Sequence, residues 1–389
     1  MNAFFADLHI HIGRTNTGKP VKITGAKSLT LENIFIEAAE SKGMDIIGII
    51  DCHVPEVIKE IEDGIRRRKY EELMGGGVRY QNSTLILGTE LEIFDEHCNG
   101  PIHVLCFMPT LEKMKEFSHW LSSHLKNIHL SSQRVYVEGK RLQHKVKSLD
   151  GLFIPAHIFT PFKSLYGKGV QRSLTEVFDQ TLIDAVELGL SSDTNMASRI
   201  RELASYPFLT NSDAHSLPKI GREYQKLLLK APTFQELVMA IKKENGRKIE
   251  ANYGLNPKLG KYYETFCEAC QKTVGLTDEG CCQICGGVKI TKGVKQRVEE
   301  LGDKTNHAPK RPPYIHQVPL AFLPGIGPKT LKKLKHYFGT EMNILHKVPY
   351  ADLVEVVPEK IAASIISARK GTLYVQSGGG GKYGKVEGA

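Results

Sequence analysis

Three observations place this chain in the α/β class, as a barrel followed by two smaller modules. Short β-branched runs alternate with helical stretches from residue 3 to about 250. Five cysteines crowd between 267 and 285, and a compact helical pattern resumes at residue 318. Alternation at this spacing predicts parallel β/α units, and about seven strands favour a closed barrel over an open sheet. Residues 3–10 read as the first strand. Residues 30–42 read as a helix with Thr30 as N-cap and Gly43 as C-cap. Residues 45–50, 85–87, 102–107, 152–156, 185–188 and 208–210 continue the strand series, with residues 233–244 among the helices. Chemistry in such barrels sits on the loops that follow the strand C-termini.

The rest of the chain divides by composition. Residues 1–250 are expected to form the barrel, 256–292 a cysteine-rich module, 293–317 a charged, proline-containing linker, 318–371 a helical module, and 372–389 a disordered glycine-rich tail. At 389 residues the chain has room for two or three domains. With 41% apolar and 24% charged residues it is neither wholly disordered nor collagen-like nor a coiled coil. No apolar run approaches the roughly 18 residues of a membrane helix. The segment Met1–Asp7 lacks the basic start of a secretory signal, so a cytoplasmic, nucleoid-associated monomer is expected.

Charge is unevenly placed. Residues 1–250 carry 32 basic and 31 acidic side chains, whereas residues 251–389 carry 20 basic and 12 acidic. A nearly neutral body with a cationic last third predicts a polyanionic partner.

The barrel segment holds a constellation of histidines and carboxylates at successive strand ends. Asp7, His9 and His11 end the first strand, and in a strand His9 and His11 share a face. Asp51 and His53 follow the second, Glu90 the third, His103 lies in the fourth, His157 follows the fifth, and Asp213 and His215 follow the last. His119, His124, His129 and His144 are scattered over helices and carry no such pattern. Trp120 falls at helical spacing with Phe117, Leu121 and Leu125, as packing does. Burying so many imidazoles and acids together is costly without cations between them. The nitrogen and oxygen set suits two or three ions of Zn, Mn, Fe or Mg. Such clusters bind a phosphodiester, acidify a water and stabilise the leaving oxygen, so phosphoester hydrolysis is the expected chemistry.

These motifs resemble those of the PHP (polymerase and histidinol phosphatase) superfamily, whose fold is a distorted (β/α)7 barrel with two or three catalytic metals. The resemblance covers residues 1–250 and implies His9, His11, Glu90 and Asp213 as catalytic ligands, with His53, His103, His157 and His215 completing the cluster. The superfamily's second motif has Asp and His adjacent. Cys52 separates them here, which leaves either Asp51 or His53 as the ligand. A further histidine of the superfamily has no counterpart near Thr15–Thr17. Asp7 is expected behind the ligands, orienting an imidazole.

Cys267, Cys270, Cys282 and Cys285 form two CxxC pairs eleven residues apart, the signature of a closed four-cysteine zinc site; Cys281 is the odd one out. In the helical module, Gly325 and Gly327 precede a basic helix bearing Lys329, Lys332 and Lys333, an arrangement that exposes backbone N–H groups to phosphate. It resembles the helix-hairpin-helix module, which grips the DNA backbone without reading sequence, and a degenerate second copy follows over residues 351–369.

Taken in this order, barrel, zinc module and helix-hairpin-helix resemble the endonuclease Q family. That resemblance implies a DNA repair endonuclease cutting 5′ to deaminated bases (uracil, hypoxanthine, xanthine) and abasic sites, leaving 3′-hydroxyl and 5′-phosphate. Two other readings are a small-molecule phosphatase of the histidinol phosphate type and a non-enzymatic DNA-binding protein.

Overall fold

The computed structural model describes residues 1–303, 309–376, 382 and 384–386. Seven strands form a ring: β1 Asn2–Ile10, β2 Ile46–Ile49, β3 Ser83–Ile93, β4 Ile102–Met108, β5 Leu152–Pro155, β6 Val186–Glu187 and β7 Phe208–Leu209. β1, β2 and β3 run parallel, as do β6 and β7. The ring passes from β5 to β6 through Asp184 N–H to Phe153 O and Ile158 N–H to Glu187 O. It returns to β1 through the parallel bridge between Ala214 and Ile10.

One strand departs from the all-parallel expectation. β4 is antiparallel to both β3 and β5. Only residues 94–101 separate β3 from β4, too few for the crossover helix that a parallel pair requires. This is a distorted barrel of β/α type. The helix expected after β1 is present as Leu31–Ile36 continued by a π-helical turn, Glu37–Lys42, with Thr30 capping Asn33 N–H and Gly43 left-handed at φ +78°.

Beyond the ring the sheet continues. The first half of β1 pairs antiparallel with Tyr224–Leu229, which pairs with Lys248–Gly254, on which Tyr314–His316 lies parallel. The stretch 293–317 is therefore no simple linker. It contains this strand and the helix Val294–Leu301, whose Val294 and Val298 are buried and whose Arg297 donates to the carbonyls of Tyr166, Val170 and Gln171. Residues 304–308 lie outside the described residues. The tail also departs from the disordered expectation where it is described: Val375–Gln376 pairs antiparallel with Lys385–Val386, and Gly384 N–H donates to Leu259 O. Valines on either side of the glycine run supply the strand-forming residues. Residues 377–381, 383 and 387–389 lie outside the described residues.

Four helices, Pro328–Phe338, Glu341–His346, Tyr350–Val356 and Glu359–Lys370, form the helical module. Its Leu334, Ile344, Leu353 and Ile365 belong to the same apolar cluster as the barrel's Ile10 and Ile47. Lys42 pairs with Glu341 at 3.1 Å, both nearly buried. The His346 ring stacks on Phe5 at 4.4 Å between centroids, and its Nε2 lies 2.7 Å from the Tyr224 hydroxyl. Among the described residues no helix is long and apolar enough to cross a membrane.

Burial, followed by the nearby charges of Lys226, Arg369 and Lys347, holds His346 at a pKa of about 3. That is below the value of about 6.5 for an unfolded imidazole, so the unfolded chain takes up the proton first. The contribution of His346 is complete above pH 6.5 and is lost as pH falls. Denaturant unfolding at pH 7 and pH 5 is expected to show a loss about 2 kcal/mol larger in the wild type than in His346→Gln.

Candidate metal centre

The strand ends converge. His9 and His11 leave β1 on one face, Glu90 lies within β3, His103 within β4, and His157 just beyond β5. His9 Nε2 lies 3.5 Å from both Glu90 Oε1 and Asp213 Oδ1. His11 Nε2 lies 3.6 Å from Glu90 Oε2 and 3.5 Å from Asp213 Oδ1. His103 Nδ1 is 2.8 Å from Glu90 Oε1 and His157 Nε2 3.5 Å from the same oxygen. His215 Nδ1 is 3.4 Å from Asp213 Oδ1. Three adjoining groups result: His9, His11 and Glu90; His11, Asp213 and His215; Glu90, His103 and His157.

The spacings fit divalent ions. Separations of 3.5–3.6 Å exceed the 2.7–3.2 Å of an N–H···O hydrogen bond. Four ligands about 2.1 Å from a central ion would stand about 3.4 Å apart. The Nε2 atoms of His9 and His11 are buried with no hydrogen-bond partner, while Nδ1 of each is already engaged. Such nitrogens are placed to ligate.

Electrostatics agree. Burial alone would raise the pKa of Glu90, but His103 and Lys22 outweigh it and hold the carboxyl well below the usual range. Asp213 is likewise held low against burial, by His9, His11 and His215. Burial opposes protonation of His9, yet Glu187 and Asp213 hold it well above an ordinary imidazole. The carboxylates call for positive charge wherever it can be found.

Asp51 and His53 are corrections to the expected ligand set, because neither enters any of the three groups. Extended backbone ends at Asp51, and a turn leads directly into the helix Pro55–Arg66, so the two-residue alternation no longer brings His53 to the face shared by the others. Asp51 Oδ2 instead accepts from Ile12 N–H at 2.7 Å and faces His11 Nδ1 at 3.2 Å, supporting that ring from behind. His53 is buried, which drops its pKa to about 4.

Asp7 does not orient an imidazole. Its oxygens accept from Ser212 N–H at 3.0 Å and Gly221 N–H at 2.8 Å, fixing the loop that carries Asp213. The orienting role falls to Glu187 at the end of β6, which sequence reasoning missed. Its oxygens lie 2.9 and 3.1 Å from His9 Nδ1, and it accepts from His157 N–H at 2.8 Å and Asn211 Nδ2 at 2.7 Å. The available signal was a lone acid at a strand end, among apolar neighbours. Lys22, Ser131 and Ser132 were also missed and left no pattern. Ser131 Oγ is 3.1 Å from His11 Nδ1, Ser132 Oγ donates to Glu90, and Lys22 Nζ stands 3.3 Å from Glu90 Oε2.

Two of the ligands sit on left-handed backbone, His157 at φ +31° and Asp213 at φ +46°. Gly189 packs against the first, and a Cβ added there would meet His157 Cβ at 2.9 Å. His11, Glu90, His103, His157, Asp213 and His215 line a cavity of about 720 Å³ that also presents Lys22, Lys163, Lys219, Lys261, Phe162 and Tyr262.

Away from the barrel, Cys267, Cys270, Cys282 and Cys285 close on one point, with Cys281 outside the group. Sγ separations of 3.7 Å (Cys267–Cys285) and 3.8 Å (Cys270–Cys282) match the edge of about 3.8 Å expected around an ion with Zn–S bonds of about 2.3 Å. In the helical module Gly325 is left-handed at φ +85° and Gly327 caps the helix Pro328–Phe338. Lys329 and Lys332 are exposed. Lys333, also exposed, donates to Val356 O at 2.6 Å.

Because Glu187 fixes His9 without entering a ligand group, Glu187→Gln is expected to weaken divalent-ion affinity about 10–100-fold at the barrel mouth. Calorimetric titration of the metal-stripped chain checks this.

A family model described as PHP-associated matches residues 192–245. The chain is 61% identical, over the whole of both chains, to an uncharacterized protein, YqxK, of Bacillus subtilis (strain 168). Among solved structures it resembles the lesion-specific endonuclease PfuEndoQ of Pyrococcus furiosus, with 32% identity and TM-score 0.85 over 99% of this chain and 95% of that one. A structure of endonuclease Q with a 27-mer duplex bearing an abasic lesion at its active site matches at 33% identity and TM-score 0.84, over 99% and 96%. Identity above 30% across nearly the whole of both chains, together with a ligand cluster at the barrel mouth, makes this chain a member of the endonuclease Q family.

Proposed function

We propose that the protein is a metal-dependent DNA repair endonuclease that hydrolyses the phosphodiester 5′ to deaminated bases and abasic sites, leaving 3′-hydroxyl and 5′-phosphate ends. One observation carries the reading: the ligand groups lie together on a cavity wall, in a chain that matches a lesion-specific endonuclease from end to end.

His9, His11, Glu90, His103, His157, Asp213 and His215 would hold two or three divalent ions, Zn, Mn or Mg. Bound there, such ions acidify an attacking water and neutralise the charge that builds on the phosphate. The chain's own residues do the rest. Glu187 and Asp51 fix the rings of His9 and His11 from behind, so that Nε2 of each faces Glu90 and Asp213. Lysines around the cavity draw in the DNA backbone. A volume of about 720 Å³ admits an extruded nucleotide, and the half-exposed Phe162, edge-on to Tyr262 at 5.5 Å, offers a surface on which a base can stack. Deamination exchanges an exocyclic amine for a keto oxygen, so a pocket presenting donors accepts the damaged base and rejects cytosine or adenine. The four-cysteine module, with a structural zinc, and the helix-hairpin-helix hold the duplex by its backbone.

Incubation of the metal-loaded chain with labelled duplexes carrying uracil, hypoxanthine, an abasic site or no lesion is expected to give a nick only at the lesions. In Asp213→Ala the nick should vanish while binding persists; cutting of undamaged duplex at equal rate would overturn the reading.

The helical module shares the barrel's apolar cluster, so its role in binding is tested by substitution and not by truncation. Lys329→Glu with Lys332→Glu is expected to lower the slope of log affinity against log salt by about 2, equally for damaged and undamaged DNA.

A further inference from the structure

Lys22 has entered so far only as a neighbour of Glu90 and as one of the lysines on the cavity wall, yet it reaches the centre of the site. Its Nζ lies 3.3 Å from Glu90 Oε2 and 2.5 Å from Ser132 Oγ, with the side chain 14% exposed on the cavity wall. Of the four lysines around the cavity among the described residues, Lys22 is the one that reaches Glu90, while Lys163 is drawn off to Glu92 at 2.9 Å and Lys219 is exposed.

The loop that carries Lys22 is tied down at several points. Lys22 N–H donates to Ile12 O at 2.8 Å, Val21 N–H to Gly13 O at 3.0 Å, and Ala26 N–H to His215 O at 2.9 Å. A Cβ on Gly13 would meet Ala26 O at 2.1 Å, so only glycine lets the two ends of the loop pack this closely. A long cation mounted on a loop tied to both β1 and the Asp213 loop is pre-positioned, as catalytic groups need to be.

Charge indicates what it is for. Asp51, Glu90, Glu187 and Asp213 lie within or directly behind the ligand groups, and two divalent ions would neutralise these four carboxylates. With two or more ions bound, Lys22, like Arg222 on the same cavity, is positive charge beyond that balance. A lysine serving only to balance Glu90 would be redundant at that point, whereas a phosphodiester brings one negative charge of its own.

We propose that Lys22 is a catalytic residue that turns its ammonium from Glu90 to a non-bridging oxygen of the scissile phosphate, an assignment that rests on the nuclease reading above. In the step it serves, a water oxygen bonds to phosphorus and the P–O3′ bond breaks. The water gives up one proton and the departing 3′ oxygen gains one. Lys22 keeps its protons throughout and donates a hydrogen bond to the oxygen on which charge accumulates.

The test compares the metal-loaded full chain with Lys22→Met and Lys22→Arg. Elemental analysis is expected to find the same bound metal in all three. Single-turnover cleavage of an abasic duplex at saturating protein should slow about 100-fold in Lys22→Met and recover in part in Lys22→Arg. Sulfur in place of one non-bridging oxygen should slow the wild type more than Lys22→Met. Cleavage by Lys22→Met at the wild-type rate would overturn the assignment. So would a drop in its metal content, since Lys22 would then be organising ligands. A second arm titrates inorganic phosphate into the metal-loaded chains by calorimetry, where Lys22→Met is expected to bind about tenfold more weakly. This arm holds even if the wild type cuts no DNA, a result that would sink the nuclease reading alone. Equal phosphate affinity in wild type and Lys22→Met would sink the lysine's role.

Discussion

Glu90 is 1% exposed, and its two oxygens face His9, His11, His103, His157 and Lys22. A carboxylate stripped of water to this degree costs several kcal/mol unless positive charge replaces its hydration. Much of the barrel's construction meets that demand. Strands β1 and β4, and the turn after β5, bring imidazoles to the one carboxylate on β3, and acids behind the first two rings keep them turned inward. Two of the three ligand groups share Glu90 and two share His11. A change in either residue disturbs neighbouring positions together, so the cluster behaves as one electrostatic unit.

Much of this was legible in the amino acids, for a physical reason. Residues two apart in a strand share a face, so His9 with His11 announced a site directly. Asp213 with His215 showed the same spacing on a turn after β7 and also entered a common group. The same rule misled at Asp51 and His53, where the strand stops and the chain turns into a helix. Glu187 stayed hidden because one acid in a short apolar strand carries no spacing, and Lys22 and Ser132 because loops bring them to Glu90 from far away in the chain. The reversed β4 is implicit in the short connection over residues 94–101, which leaves no room for a crossover helix. The continuation of the sheet through Tyr314–His316 was obscured by the prolines just before it, which read as linker.

The cationic last third of the chain is bound more tightly to the body than its composition implied. The Lys42–Glu341 pair, the Phe5–His346 stack and the added strand all cross between the two. Glu341 also takes Lys335 at 3.0 Å, so the basic helix Pro328–Phe338 is anchored through one of its own lysines. Its exposed lysines therefore stand at a set position relative to the barrel mouth. On the function proposed above, a polyanion held at one would be presented to the other without a search through many relative orientations.

The left-handed turn at His157 has its own outcome. Such backbone persists in a non-glycine residue only where surrounding structure enforces it. Here the enforcement comes from the adjoining loop, through Glu187 bonded to His157 N–H and Gly189 pressed against its Cβ. The two loops are thus one structural unit. A chimera that borrowed the His157 loop from a distant cousin while keeping its own Gly189 loop would misplace the imidazole, and recombination among homologues should exchange the two as a single block.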